Sequence, residues 1–209
     1  MTIEKRVADI LLRVGAVELS PNEPFTWASG IQSPIYCDNR LTMADPVGRK
    51  VIAKGLADII RTKYPEATVI AGTATAGIPH AAWIADELQL PMVYIRSKPK
   101  GHGQGRQIEG KMQEGDRAII VEDLISTGGS SLNAAEAVER EGYAVEGVVS
   151  IFTYGLQKAD ERFAESHLTY YSLTNFNALV EVAQEQGTIE EEAINGLLEW
   201  HEQLKHGKL

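Results

Sequence analysis

Cysteine is almost missing from this chain, with Cys37 standing alone. An intrachain disulfide is therefore excluded, and a reducing, cytoplasmic setting is expected. No apolar run approaches the ~18 residues that a membrane-spanning helix requires. Residues Met1 to Arg6 read as the start of an amphipathic helix and not as a secretory signal. Positive charge is also scarce: 20 Lys and Arg face 29 Asp and Glu, a net charge of −9. A general nucleic-acid surface would need the opposite balance. The G-x-x-x-x-G-K-[ST] pattern of P-loop hydrolases is absent. Gly101-His102-Gly103-Gln104-Gly105 has the wrong glycine spacing for a dinucleotide fingerprint, and a charged run separates it from the preceding apolar strand.

What is present suits one α/β domain. The chain has 209 residues, 44% of them hydrophobic, without repeats, low-complexity tracts or an evident linker. Apolar residues at helical spacing (Ile3, Val7, Ile10, Leu11, Val14) predict a helix over 2–14. Residues 16–40, punctuated by Pro21, Pro24, Gly30 and Pro34, predict a small antiparallel or irregular cap. Cys37 fits a strand residue within it. A helix over 46–64 then leads into a strand at 68–71. Helices at 77–88, 131–141 and 156–165 alternate with strands at 92–96, 118–123, 146–152 and 168–172, and two more helices close the chain. Repeated β-α-β units imply a mostly parallel sheet flanked by helices, with ligands at the carboxyl ends of the strands. The whole, 1–209, divides into a hood (about 15–45), a core (about 46–175) and C-terminal helices (about 176–209). The helix at 2–14 and the stripe Ile189, Ala193, Leu197, Trp200, Leu204 are each free to pack on a partner or on the chain's own body.

The most informative segment is Ala118-Ile119-Ile120-Val121-Glu122-Asp123-Leu124-Ile125-Ser126-Thr127-Gly128-Gly129-Ser130-Ser131. A β-branched and aliphatic run suits a strand buried on both faces. The hydroxyl and glycine residues, followed by a helix expected to begin near Leu132, make a phosphate cradle of hydroxyls, backbone N–H groups and a helix dipole. Carboxylates repel phosphate, so Glu122 and Asp123 point to a neutral diol close by, which carboxylates bind strongly. A ribose 5-phosphate has both features.

Two further loops follow strands. Gly72-Thr73-Ala74-Thr75-Ala76-Gly77-Ile78-Pro79 offers backbone amides before a helix, a second anion site. The run from Arg96 to Arg106 holds four cations, three glycines and His102 in 11 residues. A long glycine-rich connection of this kind is uncommon unless it has a function. Its cations suit charge that develops on a leaving group, and His102 can donate or carry a proton near neutrality. His80, His167, His201 and His206 show no evident role.

The 118–131 segment resembles the 5-phosphoribosyl 1-diphosphate (PRPP) signature of the type I phosphoribosyltransferases. The pattern Arg96-x-x-x-Lys100-x-His102-Gly103, with Phe25-Thr26-Trp27-Ala28-Ser29-Gly30 and Ser33-Pro34-Ile35-Tyr36, resembles the orotate branch of that family over most of the chain. The resemblance implies the type I fold and transfer of phosphoribosyl from PRPP to orotate in pyrimidine biosynthesis. It also implies Mg²⁺ carried mainly by PRPP, with no protein ligand firmly assigned. A homodimer is implied in which the 96–106 flap reaches the neighbouring site.

On the same basis Arg96, Lys100 and His102, together with Glu122, Asp123, Leu124, Ile125, Ser126, Thr127, Gly128, Gly129 and Ser130, are expected to bind PRPP. Thr73, Ala74, Thr75, Ala76 and Gly77 are expected to meet its diphosphate, Ser126 to lie near orotate, and Lys100, His102 and Asp123 to act in catalysis. Three positions depart from the pattern. Ala28 and Ala76 stand where many members carry lysine, and Thr153-Tyr154 where some carry an orotate-binding arginine. Orotate's carboxylate needs a cation or an N–H pair, and Arg40 is the candidate. A purine phosphoribosyltransferase would keep the phosphate cradle under a different hood. A PRPP-sensing regulator would need a basic recognition helix, which the N-terminal region lacks.

Overall fold

A computed structural model describes residues 1–26, 32–99 and 106–208. Its centre is a six-stranded sheet in the order β10 (Tyr170–Asn175), β9 (Ala144–Thr153), β8 (Arg117–Ile125), β5 (Val69–Thr73), β6 (Met92–Ile95), β7 (Ile108–Glu109). Every neighbouring pair is parallel except β6–β7. The alternation along β8 explains its unbroken apolar run. Ile119 and Val121 join Ile70, Val149 and Ile151 in a core shared with helices α1 (Ile3–Arg13), α2 (Pro46–Lys63) and α3 (Gly77–Leu88). Ala118 and Ile120 join Val69, Ala71, Val93 and Val148 on the opposite face, under α4 (Gly129–Arg140) and α5 (Gln157–Glu165). Both faces are thus covered, as parallel sheets require.

The hood consists of two short antiparallel pairs, β1 (Val17–Leu19) with β4 (Ile35–Cys37) and β2 (Phe25–Thr26) with β3 (Gln32–Ser33). A 3-10 helix over Asn39–Ala44 follows. The two closing helices are α6 (Phe176–Glu185) and α7 (Glu191–Lys205). Of the two packing options for the terminal helices, the chain's own body is the one seen. Val7 and Leu11 of α1 and Leu197 of α7 are fully buried within the main core. α7 is tied to both ends of the site region, since Trp200 Nε1 donates to the Gln32 carbonyl at 3.1 Å and His201 Nε2 lies 2.6 Å from the Tyr154 carbonyl. No helix among the described residues is long and apolar enough to cross a membrane.

Three details depart from the sequence reading. Strand β8 runs two residues past Asp123, because pairing with β9 continues to Ile125. Helix α4 begins at Gly129 and not near Leu132, since Gly128 at φ +75° turns the chain directly into it. The basic flap returns through β7, a two-residue edge strand too short to have a periodicity of its own.

The strand order reverses between β5 and β8, because β5 leads through α3 to β6 while β8 leads through α4 to β9. This is the topological switch point at which open α/β sheets bind ligands. Gly77 makes the junction tight, since a Cβ there would collide with the Val121 carbonyl oxygen. Gly77→Ala is expected to lower stability by about 1–3 kcal/mol through overpacking, measured as a shift in urea midpoint with an unchanged m-value.

Candidate active site

At the switch point the β5–α3 loop and the β8–α4 loop lie side by side. Thr73 ends β5, and its buried hydroxyl has no hydrogen-bond partner among the described residues. Buried polar groups are rarely left in that condition, so Thr73 Oγ1 is a donor available to a ligand. Thr75 is exposed, Ala74 and Ala76 are half-buried, and Gly77 opens α3. Across the gap, Ser126 and Ser130 are exposed, Thr127 and Gly129 half-buried, and Gly128 buried beneath them.

The two carboxyl groups are held differently. Glu122 is 5% exposed, and its Oε2 accepts from Ser130 Oγ at 2.7 Å while Oε1 accepts from the Asp123 N–H at 3.2 Å. Burial pushes the Glu122 carboxyl up to about 8 against the pull of Ser130, and the neighbouring Asp123 charge adds to the rise. Burial also raises Asp123. Its hydrogen bond with Glu122, the backbone N–H groups and the Arg40 charge oppose that rise. Burial thus raises both carboxyls, and the two titrate as one coupled pair that holds a proton more readily than free carboxyls would.

Asn39 of the hood hydrogen-bonds this pair, its Nδ2 donating to the Asp123 carbonyl at 2.8 Å. Beside it, Asp38 grips Arg40 through Nε at 2.6 Å and Nη2 at 2.9 Å. The structure therefore brings Arg40 within electrostatic reach of Asp123, with its guanidinium already engaged by a carboxylate. Tyr154 is buried and packs edge-on to Phe152, at 5.1 Å between centroids. Burial raises its phenol, so it presents no charge to a ligand.

The chain ends that enter and leave the flap are clasped together. Arg96 N donates to Gln107 O at 3.0 Å, Gln107 Nε2 donates back to Arg96 O at 3.0 Å, and Arg96 Nη1 lies 3.3 Å from Glu109 Oε1. Lys100 and His102 lie outside the described residues, as does Ala28.

A phosphoribosyl transferase domain matches residues 44–184. Orotate phosphoribosyltransferase of Enterococcus faecalis is 60% identical over 198 residues, covering 95% of this chain and 94% of that protein. Its Bacillus subtilis counterpart is 57% identical over 198 residues, covering 95% and 92%. The chain belongs to the orotate phosphoribosyltransferase family. The crystal structure of orotate phosphoribosyltransferase from Aeropyrum pernix superposes with a TM-score of 0.75 at 28% identity, covering 88% of this chain and 99% of that one.

Within this chain the expected residues do not all offer side chains. Ile125 is 1% exposed and packs into the α4–α5 core, so only its backbone can meet a ligand, and Leu124 packs against the opposite core. Two contributors escaped the sequence reading. Arg162 of α5 donates from Nη1 to the Thr127 carbonyl at 3.2 Å and so braces the phosphate loop from behind. Helical spacing gives no hint of that reach. Asn39 was passed over beside the more conspicuous Arg40, although its place after Tyr36-Cys37-Asp38 was visible.

The raised Glu122 carboxyl has a consequence for stability. A carboxyl with a folded pKa above its unfolded value favours the native state below the unfolded value, and that contribution is lost as pH rises through the folded one. Stability of the wild type should therefore fall between about pH 4.5 and 8, the ordinary and raised values. In Glu122→Gln the fall should be shallower over the same range. Urea unfolding at several pH values compares the two slopes, and equal slopes would rule the assignment out.

Proposed function

We propose that this chain transfers the 5-phosphoribosyl group of PRPP to orotate, giving orotidine 5′-phosphate and diphosphate in de novo pyrimidine biosynthesis. The observation that carries the reading is the Glu122–Asp123 pair, set immediately before the hydroxyl and amide cradle of residues 126–130 at the switch point. The ribose hydroxyls fall to the two carboxyls, and the 5-phosphate falls to Ser126, Thr127, Ser130 and the first N–H groups of α4. Diphosphate is met by residues 73–77, where the Thr73 hydroxyl adds a donor.

In the reaction the bond from the anomeric carbon to the diphosphate oxygen breaks, and its electron pair leaves with the diphosphate. N1 of orotate forms the new bond to that carbon and gives up its proton, which passes to a departing diphosphate oxygen or to solvent. The Asp123 charge offsets positive charge developing on the ribose, whereas Glu122, holding the proton, orients a hydroxyl. Arg96, Lys100 and His102 stabilise the departing diphosphate once the flap excludes water. Arg40 takes the orotate carboxylate, exchanging part of its contact with Asp38. Ser126, exposed at the mouth, lies toward the base.

Mg²⁺ would be held mainly by substrate oxygens and water, with Glu122 and Asp123 as the side chains that would face it. The ion, when bound, supplies charge neutralisation for the diphosphate. A homodimer operating in the cytoplasm completes the reading. Tyr36, Leu41, Met43 and Val47 leave apolar surface exposed along the hood and the start of α2, which a second copy would cover.

Loss of orotate absorbance in the presence of PRPP and Mg²⁺, abolished by EDTA, is the expected result; no consumption by protein that binds PRPP would redirect attention to purine acceptors. Arg40→Ala should raise the orotate KM several-fold with PRPP binding intact, and an unchanged KM would remove Arg40 from the base site. Lys100→Ala should lower kcat much more than PRPP affinity. If the flap acts across subunits, mixing Lys100→Ala with Asp123→Asn, each strongly slowed alone, should raise activity above that of either through hybrid dimers.

A further inference from the structure

We infer that Asn39 is a positioning residue for this reaction: it fixes the Asp123 backbone, and through it the carboxylate that faces the ribose. This rests on the role given to Asp123 above.

The reason lies in how β8 ends. β5 pairs with β8 only as far as Val121, and in the β8–β9 register Glu122 and Leu124 have partners while Asp123 has none. The segment carrying the carboxyl pair has therefore lost one flanking strand at the point where its geometry matters most. A backbone carbonyl left unpaired in a half-buried position is unfavourable by about 1–3 kcal/mol, and an unrestrained peptide would let the attached side chain wander. Asn39 supplies the missing donor from 84 residues away in sequence, with Nδ2 at 2.8 Å from the Asp123 carbonyl oxygen.

Its own side chain is completely buried and its orientation is fixed from the other end, where Oδ1 accepts from Cys37 Sγ at 3.3 Å. That second bond settles which end of the amide faces Asp123, since an amide oxygen there would set two acceptors against each other. The main chain of Asn39 is braced as well, with Thr42 Oγ1, itself buried, donating to the Asn39 carbonyl at 2.6 Å. A rigid amide thus substitutes for a strand neighbour. It is also the one hood side chain that hydrogen-bonds the catalytic strand among the described contacts. Site geometry must hold to within roughly 0.5 Å for productive positioning, so its loss should be read in kcat and not only in stability.

The test is a double-mutant cycle with a folding control. Asn39→Ala should lower kcat at least tenfold while PRPP affinity, measured by calorimetry, changes much less. Ser33→Ala removes a buried hydroxyl that donates to the Ile35 carbonyl elsewhere in the hood, without touching Asn39 or Asp123, and should lower Tm but leave kcat near wild type. Asp123→Asn keeps the backbone carbonyl but removes the charge, and the double variant Asn39→Ala/Asp123→Asn should then be no slower than Asp123→Asn alone. Full additivity of the two losses would overturn the positioning role while leaving Asp123 in place. An equal kcat loss in Ser33→Ala would assign the effect to hood folding and overturn it too. Wild-type kcat in Asp123→Asn would instead remove Asp123 from the mechanism, and the role of Asn39 with it.

Discussion

Two carboxyl groups at the open end of an otherwise apolar strand are the constraint around which this molecule is arranged. Burying one ionised carboxylate is unfavourable and burying two side by side is worse. The fold resolves the conflict locally. The pair holds a proton more readily than free carboxyls do, the Ser130 hydroxyl donates to Glu122 from the first turn of α4, and the Arg40 charge favours the ionised form of Asp123. The glycine at φ +75° that starts α4 is what brings Ser130 back within reach of β8. The phosphate cradle and the carboxyl pair are consequently one structure, for the residue that caps the acid also opens the helix.

The same end of the sheet shows why the reaction centre lies where two strands part. α3 and α4 cover opposite faces, so the chain leaves β5 in one direction and β8 in the other, and the crevice between the departing loops receives both helix N-termini. Gly77 lets α3 start directly against the Val121 carbonyl. The loops on either side of the crevice then differ in chemistry. One carries small residues and a buried free hydroxyl at Thr73, and the other carries exposed hydroxyls behind an acidic pair.

Much of this was legible in the sequence because it depends on local pattern. The run from Ala118 to Val121 could only suit a strand covered on both sides, and the glycine–hydroxyl run after it could only be a loop leading to a helix. What stayed hidden depended on distance. Asn39 and Asp123 are 84 residues apart, and nothing in a strand-like Tyr-Cys-Asp-Asn segment shows that its amide will replace a neighbour missing from β8. Arg162 looked like an ordinary charge on an exposed helix until α5 was seen to lie behind the phosphate loop. Strand β7, two residues long, has no periodicity to detect and exists because Arg96 and Gln107 are clasped together. Lys100 and His102, the most chemically suggestive side chains in the sequence, fall outside the described residues, so their roles rest on pattern and family membership.

The neighbouring residues Trp200 and His201 have a wider reach than their place near the end of α7 suggests. One indole N–H holds the hood at Gln32, and the next side chain, stacked on Phe176 with 4.2 Å between ring centroids, holds the carbonyl that follows β9. Hood and sheet are remote in sequence, yet a single helical turn holds both. Segments linked in this way open as a unit instead of fraying one by one. The amide hydrogens of the hood and of the last turns of α7 are therefore expected to exchange together, which makes the hood depend on α7 for its durability.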